Sequence, residues 1–235
     1  MNCRNASAVS GSPTRQWSTP DMNERATTTK RTARHLKSLY VVGAGLGIAF
    51  ALEGMIQGVG ADPSLDWDSV PVVVAFLATL VPFFHGAMLF MDTQFRGSPL
   101  VVMIDFLALF SQTILFFVMA EFVREPTSFT IAWIVLLIVD VLWVGWLMTP
   151  MATRSKRQLA KPVIREYRPW AIINTLCIAV LAALLLRVDE ADRATGPNLE
   201  LGLLLAAVAI IRTLCDYGFS RRVYFGKGPV PGDTI

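Results

Sequence analysis

The chain has 235 residues, 54% hydrophobic and 17% charged, with 21 Lys and Arg against 18 Asp and Glu, and its mean hydropathy is +0.51. A water-facing globule does not carry that balance, and a net charge of +3 is too small to mark a nucleic-acid binder. Cys3, Cys177 and Cys215 are too few for a disulfide framework, and His35 and His85 too few for a zinc site, so neither a structural metal nor a cofactor is expected.

Residues 1–37 are polar and carry Arg4, Arg15, Arg25, Lys30, Arg31, Arg34 and Lys37 against Asp21 and Glu24. Such a segment has little apolar surface to bury and is expected to be a disordered basic tail. No apolar core follows the first basic residues before Leu39, so a cleaved leader is not indicated, and Met22 offers an alternative start.

From Leu39 onward six apolar runs alternate with polar breaks: Leu39 to Gly60, Val70 to Met91, Leu100 to Ala120, Phe129 to Met148, Trp170 to Leu186, and Leu199 to Tyr217. About 20 apolar residues cross a hydrocarbon core of about 30 Å. Lipid cannot hydrogen-bond a peptide group, so each run must close its own backbone bonds as a helix; these runs lack the alternation of barrel strands. The expectation is an all-α polytopic membrane protein. Six transmembrane helices over 38–219 form one bundle, flanked by the tail 1–37 and a short tail 220–235, both cytoplasmic, with the cell (inner) membrane as the setting. In this topology 17 of the 21 Lys and Arg residues are cytoplasmic and only Arg124, Arg187 and Arg193 lie outside, as the positive-inside rule requires. Arg212 lies within the sixth run. Removing that span would put Arg221, Arg222 and Lys227 outside and spoil the pattern.

A charge at mid-bilayer costs roughly 2.5–3.5 kcal/mol on insertion scales, so its face turns toward protein or water. At about 1.5 Å rise per residue, His85, Asp105, Asp140, Asn174 and Arg212 fall in the cytoplasmic half of their respective spans. Asp92 and Asp216 lie nearer still to the cytoplasm. His85 shares a helix face with Asp92, Asp105 with Gln112, and Arg212 with Asp216, by their spacing. Together these are the candidate ligand or ion pathway. One reading is a pairing network in which Arg212 neutralises Asp105 or Asp140. The other is a vestibule open to the cytoplasm, in which His85 and the aspartates relay protons and Arg212 holds an anion. Glu53 and Gln57 form a second polar face in the outer half of the first span.

Gly43 with Gly47, and Gly54 with Gly58, have the spacing that permits close helix approach, within this chain or between copies in a homo-oligomer. The glycines of 43–47 only mimic a dinucleotide loop, since the third is misplaced and no strand-turn-helix unit surrounds them. At the end of the sixth run Tyr217, Arg221, Arg222 and Tyr224 interleave aromatic and basic groups. That pattern suits an interfacial belt or an anionic lipid head group. Nucleophile, metalloprotease and phosphate-loop motifs are absent from the sequence. The functions that follow are transport, conduction or sensing of a small ligand or ion through the cytoplasm-facing polar cluster. An intramembrane enzyme using His85 and the aspartates, or a structural assembly partner, are the alternatives.

Overall fold

The computed structural model describes residues 22–57, 64–93, 98–155, 160–187 and 199–220. Helix α1 (Met22–Gly54) is continuous, so residues 22–37, expected in a disordered tail, are helical. No Pro or Gly interrupts α1 before Gly43, and Leu36 and Tyr40 are buried in the bundle. Helix therefore propagates outward from a packed segment at little nucleation cost.

α1 stops at Gly54 rather than running on to Gly60. The strands β1 (Ile56–Gln57) and β2 (Ser64–Leu65) pair antiparallel beyond it, Ile56 opposite Leu65 and Gln57 opposite Ser64. Arg124 fixes the turn by donating to the carbonyl oxygens of Gly54 at 2.6 Å and Ile56 at 2.5 Å. Glu53 and Gln57 consequently do not share a helix face: Glu53 is exposed at the end of α1, and Gln57 belongs to a strand.

The remaining helices are α2 (Val70–Thr93), α3 (Pro99–Glu121), α4 (Pro126–Leu147), the short α5 (Pro150–Ser155), α6 (Ala160–Arg187) and α7 (Leu199–Phe219). Three of them open on proline, whose fixed φ suits the first turn and whose missing N–H would be unpaired there anyway. The basic residues Arg154, Lys161, Arg165 and Arg168 fall on α5 and the early turns of α6, and Pro169 sits inside α6. Pro82 sits inside α2. Having no N–H, it cannot bond the carbonyl of Ala78 one turn back. Thr213 of α7 supplies the missing donor, its Oγ1 lying 2.6 Å from that oxygen.

Six helices close a ring in which α1 packs on α3, α3 on α4, α4 on α6, α6 on α7, α7 on α2, and α2 on α1. Aromatic rings fill the interior: Phe83 and Phe76 both meet Phe116 edge-on, and Phe90 meets Trp143. The distribution of polarity is the reverse of a water-soluble protein. Leu142, Ile211 and Leu214 are 67%, 61% and 68% exposed, while Asp105, Gln112, Asp140, Asn174, Arg212 and Asp216 are all buried. Only an apolar solvent stabilises that arrangement. Five helices, over Arg31–Gly54, Val70–Asp92, Pro99–Glu121, Pro126–Leu147 and Tyr167–Arg187, are long and apolar enough to cross a membrane, which marks a multi-pass integral membrane protein.

Candidate functional site

The inward face of α4 carries Trp133, Leu136, Leu137, Asp140, Trp143 and Val144, all buried. Asp140 is the centre of a polar chain that crosses four helices. Its Oδ1 accepts from Gln112 Nε2 of α3 at 2.9 Å, and its Oδ2 accepts from Asn174 Nδ2 of α6 at 2.6 Å. The Asn174 amide, oriented by that bond, presents Oδ1 to Arg212 Nε of α7 at 3.0 Å. An amide thus stands between the carboxylate and the guanidinium. Among the described residues Arg212 makes no direct ion pair with Asp105 or Asp140; the Asn174 amide bridges it to Asp140 instead.

Arg212 is 3% exposed, yet its Nη1 and Nη2 have no hydrogen-bond partner. Its Cζ lies 4.8 Å from the centre of the Phe83 ring, a cation–π contact that holds the guanidinium plane without occupying its donors. Trp170 also packs on Phe83, its ring meeting it edge-on at 6.2 Å. Its indole Nε1 is also buried and unpartnered, as are Trp133 Nε1, Tyr40 Oη and Thr79 Oγ1. Buried polar groups are normally paired, so this many orphan groups call for an explanation. Every one of them can donate a hydrogen bond.

The other expected residues are distributed around this chain. Asp105 accepts from Trp143 Nε1 at 3.1 Å on the buried α3–α4 seam, apart from the Asp140 bonds although Gln112 shares its face. His85 Nδ1 faces Tyr217 Oη at 3.4 Å, linking α2 to α7. Asp92 has turned away from His85 to the exposed end of α2, where it pairs with Lys37 Nζ at 2.8 Å. Asp216 is buried one turn beyond Arg212 and accepts from Ser220 Oγ at 3.3 Å. Arg221, Arg222, Tyr224 and Gly58 lie outside the described residues. Gly43, Gly47 and Gly54 face the rest of the chain: a Cβ on Gly43 would collide with Thr113, one on Gly54 with Val123, and one on Gly47 would touch Phe76.

Sequence reasoning missed the Phe83 platform, the Lys37–Asp92 pair and the Thr213–Ala78 bond. The last had a visible signal, since a proline inside an apolar run always frees a carbonyl one turn earlier. No known protein family, curated protein or solved structure matches the chain.

Proposed function

We propose that the protein binds a small, acceptor-rich anion inside its helix ring, reached from the cytoplasmic side, as the recognition step of transport across the cell (inner) membrane. The observation that carries this reading is the Arg212 guanidinium, fixed through Nε by the Gln112–Asp140–Asn174 chain while both Nη atoms stay buried and unpartnered. A planar carboxylate or a phosphate-like anion matches that fork with two parallel bonds. The neighbouring Trp170 indole, sharing the Phe83 ring, adds a neutral donor. Both Asp140 oxygens accept from amides, so this carboxylate is hydrogen-bonded to Gln112 and Asn174 and reaches the guanidinium through the Asn174 amide.

In this reading α7 is the sixth span and both termini are cytoplasmic. Its inward face, Leu201, Gly202, Leu205, Ala206, Ala209, Arg212 and Asp216, is buried, while Leu203, Leu204, Ile210, Ile211 and Leu214 face outward. Without it the ring would stand open between α6 and α2. Asp140, Asn174 and Arg212 then sit at one level, each about 10 Å from the cytoplasmic end of its span at 1.5 Å per residue.

The test is thermal stabilisation of the detergent-purified protein by a panel of inorganic phosphate, sulfate, acetate and citrate. Ligand at about 100 times Kd stabilises by about 2.7 kcal/mol. Saturable stabilisation of the wild type by one of these anions, weakened in Arg212→Lys and lost in Arg212→Leu, is the expected result. If no anion stabilises the wild type and Arg212→Leu is the more stable protein, the buried cation is only interhelical packing and the proposal fails.

A further inference from the structure

An anion on the Arg212 fork brings a negative charge into a ring with little positive charge to meet it. Among the described residues Arg212 is the only buried Lys or Arg. Its charge is already matched through one amide: Asn174 accepts from Arg212 Nε at 3.0 Å and donates to Asp140 Oδ2 at 2.6 Å. The chain Gln112–Asp140–Asn174–Arg212 thus holds one negative and one positive charge and is neutral as a whole. A monovalent anion on the fork would leave it with one negative charge in excess. An uncompensated buried charge is so costly that an ionisable group neutralises instead. Within the chain only Asp140 can do so by gaining a proton, since Gln112 and Asn174 are amides and the guanidinium is already protonated.

The bonds around Asp140 accommodate that proton on one oxygen and oppose it on the other. Gln112 Nε2 donates to Oδ1 at 2.9 Å, at the end of the chain opposite Arg212. A half-turn of this amide exchanges Nε2 for Oε1, groups of nearly equal size, and supplies the acceptor that a protonated Oδ1 needs. The Asn174 bond to Oδ2 is untouched, so Arg212 keeps its brace and its fork. A proton on Oδ2 would instead require Asn174 to turn, which aims Nδ2 at Arg212 Nε, donor against donor. Among the described residues, Tyr40 of α1 and Arg212 and Asp216 of α7 lie within electrostatic reach of the Asp140 carboxylate. From α3, Asp105 bonds Trp143 one turn further along α4, and α6 brings Cys177 within reach of Arg212. Asp140 is the one titratable side chain of α4 itself.

We infer that the second ligand of this site is a proton: one proton binds at Asp140 Oδ1 for each monovalent anion held by Arg212, and Gln112 turns to accept from it. The proton comes from the water that delivers the anion, and no other bond forms or breaks. The inference rests on the anion reading of Arg212 and names its coupling ion. By linkage, proton and anion then raise each other's affinity by the same factor.

The experiment titrates the detergent-purified full chain with acetate, which stays ionised between about pH 6 and pH 9. Binding is read as thermal stabilisation at each pH, and proton uptake with an indicator dye in weakly buffered solution. The expected wild-type result is uptake of one proton per acetate and a Kd that rises toward the one-for-one limit of about tenfold per pH unit. Infrared difference spectra should show a protonated carboxyl appearing with acetate in the wild type, a readout that does not depend on any variant folding. Asp140→Asn carries the bond pattern of the protonated acid, so it should bind acetate with a Kd that does not vary with pH and with no proton taken up. A wild-type Kd that is the same across the range, acetate binding without proton uptake, or loss of binding in a stably folded Asp140→Asn would each overturn the inference. So would a pH dependence that persists in Asp140→Asn and vanishes in His85→Gln. If phosphate, sulfate or citrate stabilises the protein at the lower pH and acetate does not, the coupling fails while the Arg212 site stands; if none of the four does, both fail.

Discussion

The bond between Thr213 and the Ala78 carbonyl ties α7 to α2 at the point where Pro82 breaks the backbone ladder, and it can be isolated experimentally. Thr213→Val keeps the shape of the side chain and deletes the hydroxyl. In the wild-type background the Ala78 oxygen then has no N–H one turn on to return to, because position 82 is proline. A neutral hydrogen bond is worth about 0.5–1.5 kcal/mol, and interhelical bonds in membranes average about 0.6 with a ceiling near about 1.7. This bond is short at 2.6 Å and its acceptor has no alternative, so a loss of ~1–1.5 kcal/mol is expected. In a Pro82→Ala background the amide restored at position 82 can bond Ala78, and the same Thr213→Val change should then cost less than ~0.5 kcal/mol. The four proteins form a double-mutant cycle with an expected coupling near ~1 kcal/mol. Reversible unfolding in mixed detergent micelles measures each stability, with helix content by circular dichroism confirming equal native states. Equal costs in the two backgrounds, or no cost in the wild type, would refute the claim that the hydroxyl replaces the missing amide.

Asp140 supports a prediction of the opposite chemical kind. Asp140→Leu leaves the Gln112 and Asn174 amides without an acceptor and should cost ~1–3 kcal/mol in the same unfolding assay, on the membrane scale for two interhelical bonds. Asp140→Asn should cost less, because Gln112 can rotate its amide and accept where it now donates; a ranking in which Asn is the worse substitute would show that the charge, not the bond pattern, holds α3, α4 and α6. On α1, Gly43→Ala should be clearly destabilising, since Thr113 is pinned by its own bond to the Leu109 carbonyl and cannot swing aside. Gly45→Ala, two residues away in open space, should be neutral or gain up to ~1 kcal/mol from helix propensity. Equal effects at the two glycines in a thermal-stability comparison would show that the α1–α3 contact is not close packed.

Much of the fold was legible because the bilayer permits so few solutions. Apolar runs of membrane length have to be helices, and the run starts at Leu100 and Phe129 fall within a few residues of the observed helix starts at Pro99 and Pro126. The limits of legibility appear at α1. Its polar start gave no apolar signal, yet the helix runs back to Met22. Its far end was placed beyond Gly54, because an apolar count is indifferent to the hairpin that Arg124 holds at the turn. The same contrast holds for the site. Burial of Asp105, Asp140, Asn174 and Arg212 follows from the cost of charge and amide in lipid, which is a property of each residue alone.

Pairing is a property of the ring, and sequence spacing does not carry it. Asp105 and Gln112 share one face of α3, but the neighbouring helix offers Trp143 to the first and Asp140 to the second, so the face is divided between two unrelated bonds. Opposite charges on different spans suggested a direct ion pair, yet an amide separates them. The physical consequence is large. A guanidinium paired directly with a carboxylate would have spent its donors and neutralised its charge. Held instead through Nε by Asn174 and braced against Phe83, Arg212 keeps two buried donors uncommitted, and these are the groups that the proposed anion binding requires.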